Sequence, residues 1–117
     1  MWSMGVVAFN MLSGKQPFVQ NRNAVNMNII MGRFEFDSRY WSTLSKEAKD
    51  FTRELLTVDT SKRLTAERAL GHPWLCTRGE ELARNDLGSG LDQLRLFNAK
   101  RKLRASIHTV MAAARME

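Results

Sequence analysis

Large apolar residues crowd the start of the chain (Trp2, Met4, Val6, Val7, Phe9, Met11, Leu12) and fall on nearly every face of a helix. The pattern predicts a helix over 2–13 that is buried from several sides, closed by Gly14 and followed by a turn at Pro17. After the polar "QNRN", a second helix is expected over 24–31, stopped by Gly32. "RFEFD" alternates apolar and polar positions over too short a run for a strand and reads as extended. Ser45 stands as an N-cap for a helix over 46–57, with Ala48, Phe51, Leu55 and Leu56 on one face. Thr65 caps a short helix over 66–70, which Gly71 ends before His72, Pro73 and Trp74. In the polar stretch "TRGEELARNDLGSG" a helix over 79–86 is one alternative, and the glycines mark a linker. From 91 to 114 neither Pro nor Gly interrupts, so one long helix is expected. The fold class is all-α, divided into a compact part (1–76), a linker (77–90) and a helical tail (91–117).

Composition narrows the setting more than the fold. Of the 117 residues, 44% are hydrophobic and 26% charged, too apolar for a disordered chain. The formal charge of +6 favours acidic partners: nucleic acid, an anionic membrane or an acidic protein. A lone cysteine, Cys76, excludes a disulfide framework within the chain and fits a reducing compartment. No apolar run is long enough to span a bilayer, and the apolar N-terminus lacks the basic flank and cleavage site of a signal peptide. A cytoplasmic location is expected.

Catalytic chemistry is thin. The sequence contains no Gly-rich phosphate loop, no paired-cysteine metal site and no supported Ser/His/Asp set, so no catalytic or metal-binding residue is assigned. His72, between Gly71 and Pro73, reads as part of a structural turn, and His108 as a solvated or interface residue. Cys76 reads as a small buried hydrophobe, since no His or acid is placed to activate it.

The tail carries a distinct pattern. Arg95, Lys100, Arg101, Lys102 and Arg104 form a cationic cluster with no acidic residue among them. On a helix, Leu103, Ile107, Val110 and Met111 fall at i, i+4, i+7 and i+8 and make one apolar stripe, with Leu96 and Phe97 about two turns earlier. A basic amphipathic helix suits an acidic protein with apolar grooves, docking on the chain's own compact part, or an anionic membrane.

Three segments then resemble a known family. "WSMGVVAFNMLSGKQPF" looks like the central C-lobe helix of eukaryotic protein kinases with its following turn. "LSKEAKDFTRELLTVDTSKRLTAERALGHPWL" resembles the last conserved block of that lobe, and "NIIMGRFEFD" between them points to the calcium/calmodulin-dependent serine/threonine kinases. "LFNAKRKLRASIHTVM" is similar to the autoregulatory, calmodulin-binding segment that follows the catalytic domain there.

The resemblance covers nearly the whole chain and implies part of a kinase C-lobe joined to a basic amphipathic helix. Calcium-loaded calmodulin is the implied partner, held by Phe97, Lys100, Arg101, Lys102, Leu103, Arg104, Ile107, Val110 and Met111, with Leu103 the main anchor. Trp2, Gly5, Arg63, His72, Pro73 and Trp74 match structural positions of the lobe, and Thr109 is an implied phosphorylation site. The remainder of a kinase domain is an implied partner, and ATP, magnesium and the protein substrate belong to the complete kinase; this chain is expected to bind neither ATP nor magnesium and to be inactive alone.

Departures from the family pattern matter. The Gly-rich loop, the phosphate-contacting Lys, the catalytic-loop Asp and Asn and the magnesium-binding Asp do not occur. Arg63 matches an arginine whose family partner, a Glu before the central helix, is also missing, so it is expected to lack a partner. The chain reads as a fragment, or a gene model truncated to an internal methionine, with the apolar surface of helix 2–13 exposed. Gly90 and Leu87 stand where the type II branch has an Arg-x-x-Thr autophosphorylation site, and Ser89 lacks the basic residue. Ala112 stands where the family has a bulky tenth-position anchor, so either weaker binding or a shift of register to Met111 is expected. Two alternatives remain: a calcium-dependent kinase with fused EF-hands, and a non-catalytic helical module binding membrane or nucleic acid.

Overall fold

Helix α1 (Trp2–Ser13) ends because Gly14 turns left-handed at φ 65°, donating its N–H to Asn10 O at 2.7 Å, while the Ser13 hydroxyl donates to Phe9 O. The computed structural model describes residues 1–19, 24–76 and 88–114, which form seven helices and no strand among those residues. Helix α2 (Val25–Met31) stops at Gly32, where φ is 61° and Arg33 N–H reaches back to Asn28 O. Residues 33–37 run extended, sending Phe34 and Phe36 toward the core and leaving Arg33 and Glu35 outside.

A one-turn helix that the pattern did not predict follows, α3 (Ser38–Trp41), with Asp37 accepting the Arg39 N–H as its cap. Four residues are too few to show helical periodicity. Ser45 accepts the Ala48 N–H and opens α4 (Lys46–Leu55), which closes two residues earlier than expected. The expected face of Ala48, Phe51, Leu55 and Leu56 is buried. Thr65 caps α5 (Ala66–Leu70) through the Arg68 N–H. Helix α6 (Pro73–Cys76) starts on Pro73, whose missing N–H costs nothing at that position, and the ring nitrogen of His72 accepts the Trp74 N–H at 3.1 Å. The tail is one helix, α7 (Gly88–Ala114), so residues 88–90, expected in the linker, begin the helix instead. The glycines there are tolerated because they sit in its first turn, where few intrahelical bonds are at stake. The suggested helix over 79–86 lies outside the described residues.

Helix α4 divides the core into two clusters. Phe9, Phe18, Trp41, Leu44 and Leu56 form one, flanked by Trp2, Val6, Leu12, Phe34, Phe36 and Tyr40. Its rings interlock: Trp41 lies 4.8 Å from Phe9 and 4.4 Å from Phe36, centroid to centroid. The other gathers Phe51, Leu55, Leu64 and Ala69, with Trp74 against Phe51.

Two expectations are corrected here. Helix α1 is not buried on nearly every face: Gly5, Phe9 and Ser13 are buried, while Met4, Val7 and Met11 are 57%, 50% and 59% exposed, the open apolar surface expected of a fragment. Leu91 and Leu94 of the C-terminal helix border that face, and Leu70, 76% exposed, extends it. Cys76 is exposed, because α6 is a single turn that turns Trp74 inward and leaves its last residue at the surface.

The crossing of α1 and α4 rests on Gly5. A Cβ there would stand 2.8 Å from Leu55 Cβ and 2.9 Å from Leu56 Cδ2, too close for either helix to keep its place. Gly5→Ala gains about 1 kcal/mol of helix propensity but costs roughly 1–3 kcal/mol in overpacking. The expected outcome is a net loss of about 1 kcal/mol, read as a lower urea midpoint with an unchanged slope.

Candidate functional site

Helix α7 is 27 residues long, about 40 Å at the usual rise, and its two halves meet different surroundings. The first half lies on α1. Gln93 packs so closely on Gly14 that a Cβ at that glycine would meet both its side chain and its backbone. Leu91 and Leu94 join Val7, Met11 and Leu12 of α1 around one apolar groove, which continues to Leu70, Trp74 and Leu75. Phe97 is half-buried and, with Leu96, Lys100 and Arg104, closes one wall of a cleft of about 770 Å³. Lys15, Glu35, Asp37, Tyr40 and Trp41 line the other side.

From 98 to 113 every residue of α7 is exposed. The stripe of Leu103, Ile107, Val110 and Met111 is 62%, 49%, 68% and 48% exposed, with no apolar partner over it among the described residues. Lys100, Arg101, Lys102 and Arg104 make no ion pair among the described residues, whereas Arg95 is paired with Asp92 at 3.1 Å. The Ser106 hydroxyl donates to Lys102 O and the Thr109 hydroxyl to Ala105 O, both at 3.0 Å. His108 is exposed on the same half. The sequence-derived set is thus split: Phe97 belongs to the docked half, Lys100 and Arg104 reach the rim of the cleft, and the other six are exposed on the second half.

Electrostatics in the cleft are local. Asp37 is held below the ordinary carboxylate range, first by the hydrogen bond from the Arg39 guanidinium and then by the Arg39 N–H. Because its pKa is lowered in the folded chain, its help to α3 is complete above the usual carboxylate pKa and fades as pH falls through the lowered value. Tyr40 sits between two cations, with Lys15 Nζ 5.0 Å and Arg39 5.5 Å from its ring centre.

The lobe positions have structural surroundings. Trp2 stacks on Phe18 at 5.5 Å, and the Arg63 guanidinium lies over the Trp2 ring, 5.2 Å from its centre. Without the Glu of the family pattern, Arg63 bonds to carbonyls instead: Nε donates to Thr57 O at 2.8 Å and a terminal nitrogen to Val58 O at 2.9 Å. The loop after α4 folds back and offers these carbonyls to two of the donors of the half-buried guanidinium. His72 caps α6 and touches the edge of Phe51, and Trp74 packs on the same ring at 4.9 Å. The cleft residues Lys15, Glu35 and Tyr40 were not singled out from the sequence; they are distant along the chain, and only the docking of α7 brings them opposite Phe97.

A family model for the protein kinase domain matches residues 1–75. The calcium/calmodulin-dependent protein kinase type 1 of Macrobrachium nipponense is 39% identical across 98% of this chain and 33% of the relative. The calcium/calmodulin-dependent protein kinase type II subunit delta of Oryctolagus cuniculus is 37% identical across 98% of this chain and 22% of its own length. The chain therefore spans about a third of the one and about a fifth of the other.

Docking of the first half of α7 is testable by hydrogen exchange. Amides of 91–97 are expected to exchange more slowly than those of 100–112, and Leu94→Asp to erase the difference by placing a charge against Met11 and Leu12. Equal rates in the unmodified chain would mean that α7 does not rest on α1.

Proposed function

Because the chain belongs to the protein kinase family, in its calcium/calmodulin-dependent group, we propose that its C-lobe part carries a regulatory helix for calcium-loaded calmodulin. The observation that carries the reading is the exposed half of α7: an apolar stripe at helical spacing, beside cations without ion-pair partners among the described residues. Calmodulin is acidic, and with calcium it opens Met-rich grooves that accept bulky anchors from a basic helix. Leu103 enters first, Ile107 and Met111 follow, and Lys100, Arg101, Lys102 and Arg104 steer the approach. Phe97 joins only when the first half of α7 leaves α1, so full engagement competes with docking. The regulatory unit comprises 91–117, preceded by a linker and by the lobe part, 1–76.

In the complete protein we assign phosphoryl transfer from ATP, with magnesium, to serine or threonine of protein substrates in the cytoplasm. The residues of this chain do not fit either group. No Gly-rich phosphate loop occurs in the sequence, and among the described residues no three metal-ligating side chains gather. No step through ATP or magnesium is therefore drawn for it. Among the described residues no helix is long and apolar enough to cross a membrane.

The test is a calorimetric titration of the 117-residue chain into calmodulin, with calcium and then with chelator. One-to-one binding that vanishes with chelator is expected. Leu103→Asp should weaken it about tenfold or more, since burying one Leu contributes roughly 1.5–3 kcal/mol. Binding indifferent to calcium contradicts the reading. Binding instead to anionic vesicles or to nucleic acid, persisting in chelator and falling with salt, would reassign the helix.

A further inference from the structure

The cleft of about 770 Å³ between the end of α1, α3 and α7 gathers charge from segments far apart in the chain. Four cations line it: Lys15 after α1, Arg39 in α3, and Lys100 and Arg104 in α7. Arg39 is matched by Asp37, to which its Nε and a terminal nitrogen donate. Lys15, Lys100 and Arg104 make no ion pair among the described residues, and Lys15 is held over the Tyr40 ring instead. Among the described residues Glu35 is the one other carboxylate lining the cleft. The cleft therefore carries two positive charges in excess. Tyr40 and Phe97, both half-buried, give it flat apolar walls.

We propose that this cleft binds a small organic phosphate monoester carrying a flat ring, and that the bound anion holds α7 against the lobe part and so opposes calmodulin. The second clause rests on the proposed function; the first does not. Small-ligand sites commonly enclose about 300–1,000 Å³, and the cleft falls within that range. A phosphate monoester carries about −1.5 to −2 charges near neutral pH, which matches the excess lining the cleft. A single carboxylate would leave half of that excess unmet. Arg104 offers a planar fork to two phosphate oxygens, while Lys15 and Lys100 add compact charges on flexible stems. The rings of Tyr40 and Phe97 receive the flat part of the ligand. Contact with the Tyr40 ring keeps the Lys15 ammonium beside that wall.

The consequence follows from which element supplies each group. Lys15 and Tyr40 belong to the lobe part, whereas Phe97, Lys100 and Arg104 belong to α7. An anion held from both sides bridges the two, and the site is whole only while α7 is docked. Calmodulin engagement that withdraws Phe97 takes the site apart. Linkage is reciprocal, so a ligand of the docked form lowers calmodulin affinity by the factor by which calmodulin lowers its own. The cations are exposed, and added salt weakens the site.

The test titrates phenyl phosphate, and separately inorganic phosphate, into the isotope-labelled full chain and its Lys15→Gln variant while amide shifts are followed. The Lys15 side chain is exposed and lies outside the proposed calmodulin surface, so the variant keeps both fold and calmodulin binding. Saturable shifts from phenyl phosphate are expected at Lys15, Tyr40, Phe97 and Lys100. Inorganic phosphate should bind about fivefold more weakly, for want of the ring, and Lys15→Gln should weaken phenyl phosphate by about as much. Calmodulin, titrated in excess calcium with phenyl phosphate at saturation, should bind the parent about fivefold more weakly than without it, and Lys15→Gln with a smaller loss. Equal binding of the two anions, equal binding by parent and variant, or shifts centred on Met11 and Leu70 would overturn the cleft as the site. Undiminished calmodulin affinity at saturation would overturn the second clause. Failure of the ligand-free chain to bind calmodulin would overturn the calmodulin reading and that clause with it, while the shift map would still decide the cleft.

Discussion

The close crossing of α1 over α4, permitted by the missing side chain at Gly5, is the constraint on which the other placements depend. With Leu55 and Leu56 pressed against that glycine, α4 can send Leu56 into the aromatic cluster around Phe9 and Trp41 and Leu55 into the cluster around Phe51 and Leu64. Two small cores thus share one helix as a common wall. The same crossing fixes the direction of α1 and hence the place of Gly14, the point at which α7 comes to rest. A shift of α1 would be felt in both cores and at the root of the tail.

The two halves of α7 show how one helix can be both attached and available. Leu91, Gln93, Leu94 and Phe97 are held at the end of α1, whereas Leu103, Ile107, Val110 and Met111 are presented to solvent. Fully burying side chains of this size contributes roughly 1.5–3 kcal/mol each. The four together therefore hold a large unspent driving force for association, directed by the cations around them. A second apolar surface, on α1 with Leu70 and Leu75, is also open but carries no such cluster of charge. The electrostatic difference is what separates the proposed partner surface from a merely sticky one.

Much of this was legible in the chain itself, because the signals were local. Ser45 and Thr65 cap where their hydroxyls predict, Gly14 and Gly32 end helices through left-handed turns, and the apolar face of α4 is the buried face. Features that depend on distant neighbours were not legible. Helix α3 is a single turn set by the Asp37 cap and the burial of Trp41. The partners of Arg63 are carbonyls of a loop whose path no periodicity announces. Cys76 is apolar enough to suggest burial, yet the geometry of the α6 turn leaves it at the surface. The stripe on α7 could be read by spacing alone, but its division into docked and free halves required the position of Gly14.

The measurement that bears most directly on the account is a chemical-shift map of the isotope-labelled chain, recorded while calcium-loaded calmodulin is added. The account predicts that perturbations concentrate on 97–111, with smaller ones at Gly14 and the end of α1 as Phe97 is withdrawn, and that α4 to α6 stay as they are. Perturbations centred instead on Met4, Val7, Met11 and Leu70, with the tail unmoved, would contradict it. They would show that the partner is captured by exposed apolar surface on α1 and not by the basic helix.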